Sequence, residues 1–384
     1  MRDLAVGTQE DGCGLGQEIL HLLDHHFVDQ ELLREWKSAG LARELMQACK
    51  SNSDAKVDEL LRQIGLSRTL RLTPRQIDYY HLLDAYAPAG LGGRLKVLFP
   101  DSVVRYPSID IKAREKERRI FVSAVAEGGP AQRAGLLQGD ELVSVNDLPF
   151  EPIESLRAWV RKPITVGYRR GAGGPVFRTV ITPTSSRVRE LLVRATRGSA
   201  RVISWRSRSV GYIRPWSLAG DRYWRLLKET IARTFSDCFA LVLDLRGGIG
   251  GASSEYAEFF IGRSPELTIT GSRAQCGAIN QHWRKPVVLL IDETTRSGNE
   301  VMAFALKRAG VATVGGRTAG EVTMGMPFLM SDGSLMIVAV AAVMVDGIKL
   351  EGVGVEPDFI VPYDLAYAAG ADSRLERALD QAVR

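Results

Sequence analysis

Cysteine is scarce in this sequence: Cys13, Cys49, Cys238 and Cys276 are widely separated and include no CxxC pair. That argues against a disulfide framework and against a cysteine-rich zinc site. The five histidines include His25 beside His26 and read as lacking metal-ligand spacing, so neither a metal nor another cofactor is expected. No stretch approaches the ~18 uninterrupted apolar residues of a membrane span. The longest run, residues 335–345 (LMIVAVAAVMV), is too short to cross a bilayer and reads as a buried strand. Charge of one sign is also in small excess, 50 Lys+Arg against 45 Asp+Glu, a net +5 that implies no nucleic-acid partner. The N-terminus shows no basic segment leading into an apolar one. A cytoplasmic location is therefore expected, or a periplasmic one if a leader has been trimmed.

What is present is ordinary globular composition, 45% hydrophobic and 25% charged over 384 residues. That length accommodates two or three domains, each with its own core. Residues 15–90 carry helical periodicity: Ile19, Leu20, Leu22, Leu23 and Phe27 recur at three- and four-residue spacing. Further helices are expected over 31–49 and 57–64, and another opening at Thr73-Pro74, with Thr73 as N-cap. His21, His25, His26 and His81 fall on these helices in packing or solvated roles. The breaker Ala87-Pro88-Ala89-Gly90 closes the helical unit.

Short strands and turns follow. The run GGPAQRAGLLQGDELVSVNDLPF resembles the middle of a PDZ domain, covering about residues 95–184. Such a domain captures a peptide as an extra strand. Here Ile109 and Ile111 would line the strand side and Leu156, on a helix over 153–160, the other. The loop at 105–110 lacks glycine, and Pro107 removes a donor, which argues against capture of a C-terminal carboxylate. Residues 185–209 hold seven arginines against one glutamate and read as a solvated strand pair with arginines outward. The remainder alternates strand and helix, the pattern of an α/β domain with a largely parallel sheet.

In such sheets ligands bind beyond the carboxyl ends of the strands. Two ends stand out. Asp244-Leu-Arg-Gly-Gly-Ile-Gly-Gly251 can point backbone N–H groups at an anion, but its glycine spacing is not that of a dinucleotide site. Asp292-Glu-Thr-Thr-Arg-Ser-Gly-Asn-Glu300 places Ser297 at a helix start, although S-x-x-E is also a capping box that needs no catalysis.

Taken in order, HHFVDQELL, the PDZ-like segment, VGYIRPWSL, ALVLDLRGGIGG, DETTRSGNE, VGGRTAG and LEGVGVEPDFIV resemble the S41 family of serine peptidases. These are the C-terminal processing or tail-specific proteases, and the resemblance runs from about residue 17 to 383. It implies an α/β multidomain chain: an N-terminal helical domain (1–92), a PDZ-like β-rich peptide-binding domain (95–184) and an α/β protease core of the ClpP/crotonase-like S41 type (185–384). It further implies Ser297 as nucleophile, with an oxyanion hole made by the N–H of Gly298 and that of Gly250 or Gly251. The sequence departs from the family at two places. Gly248 and Ile249 replace the usual Asn-Pro, a change expected to loosen the turn. The lysine that should follow Thr318-Ala319-Gly320 is Glu321, and Asp84-Ala85-Tyr86 lacks the histidine of the family's other branch.

Glu321 ranks first as a substitute base, on the condition that burial raises its pKa towards neutrality. Glu351 and Glu356 could orient a base, and Lys349 could enter from its hairpin. His282 precedes the strand and sits near its far end, roughly 20 Å from Ser297. Two functions follow: a serine endopeptidase with a non-standard base, acting on peptides or protein tails, or a peptide-binding pseudoprotease. No integral membrane segment is expected, and homo-oligomerisation is left open.

Overall fold

The structure is a computed structural model that describes residues 14–87, 91–262, 267–269, 277–279 and 282–384. Cys13, Cys276 and the Pro88-Ala89-Gly90 breaker lie outside them. The chain opens with four helices, α1 (Gly14–His26), α2 (Gln30–Ser38), α3 (Leu41–Lys50) and α4 (Asp54–Arg62). The helix expected over 31–49 is broken because Gly40 takes φ 83°, a left-handed value glycine adopts without penalty. Strand β1 (Leu70–Leu72), α5 (Ile77–Tyr86) and α6 (Gly92–Leu98) follow. Helix α5 starts at Ile77 rather than at Pro74; ahead of it residues 73–76 form a turn in which Gln76 N–H donates to Thr73 O at 3.0 Å and Gln76 Oε1 accepts from Thr73 N–H at 2.8 Å.

One charge in this region is poorly placed. Asp58 has a buried, unpartnered Oδ1, and burial pushes its carboxyl up to about 6, with Arg71 and Arg62 opposing and Asp54 adding to the rise. Its folded pKa exceeds the unfolded value, so ionisation costs stability as pH rises from about 4 to 6. Asp58→Asn should therefore stabilise the protein at pH 7 by about 1 kcal/mol, after allowing for solvent screening, and have no effect at pH 4. Thermal melts at the two pH values check this.

The second unit comprises β2 (Arg105–Ser108), β3 (Ile111–Lys116), β4 (Arg119–Val125), α7 (Pro130–Arg133), β5 (Glu141–Val145), β6 (Leu148–Pro149), α8 (Glu154–Arg157), β7 (Ile164–Arg169), β8 (Phe177–Ile181) and β9 (Thr184–Arg187). Its main sheet runs β3-β4-β5-β7-β8, while β2 pairs with β9. The helix expected over 153–160 shrinks to the single turn α8. Arg161 turns with φ 65° and Pro163 ends any continuation.

Residues 185–209 correct the sequence reading. They form the end of β9, a helix α9 (Val188–Ser199) and β10 (Arg201–Trp205), so the expected strand pair is confined to β10 and the antiparallel strand that opens at Arg208. Val188, Leu191, Leu192, Ala195 and Ser199 are buried at helical spacing, and Arg189, Arg194 and Arg197 take the other face.

The core then adds β11 (Arg208–Ile213), α10 (Asp221–Thr234), β12 (Ala240–Asp244), a 3₁₀ turn (Ser254–Ala257), α11 (Glu258–Ile261), β13 (Leu267–Ile269), β14 (Gly277–Ile279), β15 (Val287–Ile291), α12 (Gly298–Arg308), β16 (Ala312–Gly315), β17 (Met324–Leu329), β18 (Leu335–Ala341), β19 (Met344–Val345), β20 (Ile348–Lys349), β21 (Phe359–Ile360) and α13 (Ser373–Ala382). Six strands form one sheet in the order β10-β11-β12-β15-β16-β21, parallel except for β10. Leu241, Leu243, Leu289 and Ile291 pack with α10 and α12 on one face. Val242, Val288 and Leu290 pack with α13 on the other. Burial on both faces is why these strands are apolar throughout. The run at 335–345 follows this only in part: residues 335–339 of β18 are buried, but the strand ends at Ala341, and Ala342 and Met344 are exposed. In the sheet β1-β18-β17, Leu335 and Ile337 join the core around α5 and α9, while Met336 and Val338 join that of the N-terminal helices.

Candidate active site

Parallel neighbours β12 and β15 deliver the two loops singled out in the sequence to one edge of the sheet. After β12, Gly247, Gly250 and Gly251 take φ of 62°, 84° and 80°. A Cβ on Gly250 would stand 3.2 Å from Ser297 Cβ, and one on Gly251 would stand 2.5 Å from Ala219 Cα. Gly298 is tighter still, since a Cβ there would meet the Ala252 carbonyl oxygen at 2.3 Å. Glycine is thus required by close backbone approach on both sides of Ser297. Among the described residues no hydrogen bond uses the N–H of Gly250, Gly251 or Gly298. Of these glycines, Gly298 follows Ser297 in the chain and Gly250 packs against its side chain, while Gly251 is wedged against Ala219.

Backbone hydrogen bonds hold the turn where the family has Asn-Pro. Ile249 N–H donates to Trp216 O at 3.1 Å, a bond a proline could not make, and Gly250 O accepts from Leu218 N–H at 3.1 Å. Gly247 N–H donates to Thr294 Oγ1 at 2.7 Å. On its outer side the Gly247 carbonyl accepts from Lys112 Nζ, which β3 sends across from the PDZ-like unit and which lies 5.3 Å over the Trp216 ring. Burial lowers the Lys112 pKa to about 8; Asp78 opposes that, and Arg214 and Arg296 add to it. Sequence reasoning missed Lys112, because nothing local marks a contact 135 residues away.

Ser297 itself has φ 60° and ψ −137°, a conformation that L-residues rarely adopt and that costs on the order of 1–3 kcal/mol. It is half-buried at the N-cap of α12. Its N–H donates to Glu321 O at 3.0 Å and to Glu300 Oε2 at 3.3 Å. Ser297 and Glu300 stand in capping-box relation, but the hydroxyl half is too loose to form a full capping hydrogen bond. Glu300 is fully buried and does more than cap. Its Oε1 accepts from Thr318 Oγ1 and from Gly320 N–H at 2.7 Å, and its Oε2 accepts from Glu321 N–H at 2.7 Å. Burial pushes its pKa up, and these donors pull the other way. One carboxylate therefore fixes the serine loop to the 318–321 turn.

No candidate base touches the Ser297 hydroxyl. The Glu321 carboxylate pairs with Arg296 Nη1 at 3.4 Å. Glu351 spends its carboxylate on the N–H groups of Ser67, Val322 and Thr323, and Glu356 pairs with Arg317. Lys349 is exposed on β20, and the His282 ring contacts Glu258 O at 2.8 Å.

In the PDZ-like unit, Ile109, Ile111 and Leu156 come together, but as members of its core, at 0%, 4% and 1% exposure. Beside them Asp110 holds φ 64° and a buried carboxylate that accepts from Ser186 Oγ at 2.6 Å and pairs with Arg194. Asp110 already holds Arg194, so that cation is not free for an incoming carboxylate. Amidating the C-terminus of a bound peptide should leave its Kd within about twofold, because no favourable charge contact is lost. Titrating matched free-acid and amide peptides checks this.

Ser297 thus stands at a strained helix start beyond the carboxyl ends of parallel strands, with Gly250 packed beside it. Residues 209–361 match the model of peptidase family S41, and residues 121–170 match that of the PDZ domain. The chain is 24% identical over 330 residues to carboxyl-terminal-processing peptidase 3, chloroplastic, of Arabidopsis thaliana, covering 79% of this chain and 59% of that protein. It is 26% identical over 273 residues to the carboxyl-terminal-processing protease of Picosynechococcus sp., covering 66% of this chain and 64% of that one. The structure superposes on the photosystem II D1 C-terminal processing protease with a TM-score of 0.52 at 18% identity, covering 94% of this chain and 97% of that one. The chain thus carries one segment similar to peptidase family S41 and another similar to a PDZ domain. It spans between half and two-thirds of the length of these curated relatives.

Proposed function

We propose that the protein is a serine endopeptidase that cuts peptides or protein tails through an acyl-enzyme on Ser297. The observation that carries this reading is the strained Ser297 flanked by the unused N–H groups of Gly298 and Gly250, with Gly251 beside them. A decayed site has no reason to keep backbone strain of this size. In the reaction, Ser297 Oγ attacks the scissile carbonyl carbon and its proton passes to the base. The oxyanion is held by the glycine N–H groups, and the proton then goes to the departing amine. Water, deprotonated by the same base, releases the acyl group and restores the serine.

Glu321 is the residue we assign as base, since its backbone already contacts Ser297. Its carboxylate must leave Arg296 to accept the proton, and a carboxylate is a weak base towards a hydroxyl, so turnover should be slow. The Arg296–Glu321 pair also favours a second reading, a peptide-binding pseudoprotease. Cleavage of an unstructured peptide library by wild type, Glu321→Gln and Glu321→Lys separates them. The peptidase reading expects wild-type cleavage that falls at least about 100-fold in Glu321→Gln. Absence of wild-type cleavage, with activity appearing in Glu321→Lys, favours the pseudoprotease.

A further inference from the structure

We propose that His21 and His25 form a surface site for a divalent transition-metal ion. The two side chains lie four residues apart on α1, so they share one face of the helix, and both are exposed. Their rings are 4.0 Å apart, centroid to centroid, tilted by 38°.

The second observation concerns tautomer and orientation. His25 Nδ1 lies 2.8 Å from His21 O. A carbonyl oxygen can only accept, so Nδ1 carries the hydrogen and Nε2 presents a lone pair. A ring N–H donated to a backbone carbonyl is the arrangement that orients metal-ligating histidines. Among the hydrogen bonds of the described residues, none uses a His21 ring nitrogen, so that ring can turn to share an ion.

The neighbouring acids are already engaged. Asp24 pairs with Lys37, and Glu18 accepts from the Ser331 N–H and hydroxyl. No group of three or more His, Cys, Asp or Glu side chains able to hold a metal is found among the described residues. The site therefore supplies two imidazoles, and water fills the remaining positions. Two neutral imidazoles suit Cu²⁺, Ni²⁺ and Zn²⁺, with Cu²⁺ tightest, and not the oxygen-seeking Mg²⁺ or Ca²⁺. An ion there would clamp the last turn of α1. The adjoining His26 ring lies tilted by 36° against Phe328 of β17, centroids 4.8 Å apart, and Val28 N–H donates to Ala339 O at 2.8 Å. The clamp would thus stiffen the junction between α1 and its sheet.

The test is calorimetric titration of the full chain, carrying no added histidine tag, with Cu²⁺, Zn²⁺ and Mg²⁺ salts, alongside melts in each ion. Wild type should bind Cu²⁺ saturably, bind Zn²⁺ more weakly and melt at higher temperature with either. Mg²⁺ should do nothing. His21→Ala and His25→Ala should each abolish that binding event and the melting shift, whereas His26→Ala and His282→Ala should keep both. Absence of saturable Cu²⁺ binding, or its survival in His21→Ala or His25→Ala, overturns the proposal.

Discussion

Replacing Ser297 by alanine should abolish peptide cleavage, and replacing it by glycine should abolish cleavage while raising stability above that of the alanine variant. The two substitutions remove the same hydroxyl, so their effects on chemistry are equal. They differ in backbone. Alanine keeps a Cβ at φ 60°, ψ −137° and retains the strain, whereas glycine adopts such angles readily. Against the relief stands the larger conformational entropy that glycine gains in the unfolded chain. The balance should favour the glycine variant by about 1 kcal/mol. Urea denaturation of the two variants measures it. A glycine variant less stable than the alanine variant would show that the serine loop is not strained. Retained cleavage in either would remove Ser297 from the chemistry.

Glu300→Gln should be the most damaging conservative change in the site. The carboxylate accepts from Thr318, Gly320, Glu321 and Ser297. An amide offers one oxygen, and its NH₂ must face donors. With the NH₂ in the Oε2 position the Glu321 N–H loses its partner, and in the Oε1 position the Gly320 N–H does, while Ser297 N–H keeps Glu321 O; either way one donor is stranded, at a cost of about 1–3 kcal/mol. Because the same carboxylate ties the serine loop to the 318–321 turn, a shift of the order of 1 Å should follow at Ser297, lowering kcat/KM by about 100-fold. Glu300→Asp, too short to reach all four donors, should fall between wild type and Glu300→Gln in denaturant midpoint. A Glu300→Gln protein with unchanged midpoint would reduce Glu300 to an ordinary helix cap.

The elements legible in the sequence were those with strong local signals. The PDZ segment, the apolar strands before the two loops, and the glycine turn with its serine partner all carry their patterns within about ten residues. Helix α9 was missed because seven arginines drew the reading away from the three- and four-residue spacing of Val188, Leu191, Leu192 and Ala195. The helix break at Gly40 was passed over because apolar periodicity continues across it. The four-residue spacing of His21 and His25 reads as a solvated helix face in the sequence, which carries no trace of the His25 ring contact with His21 O. Other features had no local trace at all. That Asp110 is a buried anion depends on Ser186 and Arg194, and the Lys112 contact with Gly247 depends on how the PDZ domain docks. At Ile249 the family pattern hides a bond as well, since a residue other than proline there has an N–H, which donates to Trp216 O.

The central claim is that Ser297 is an activated nucleophile, and labelling by a serine-reactive fluorophosphonate probe tests it most directly. An activated hydroxyl displaces fluoride from phosphorus, whereas an ordinary surface or capping serine does not. Intact-mass analysis of the full chain should show a single adduct, mapped to Ser297 by peptide sequencing, lost in Ser297→Ala and strongly slowed in Glu321→Gln. An unlabelled wild-type chain, or an adduct that persists in Ser297→Ala, would contradict it.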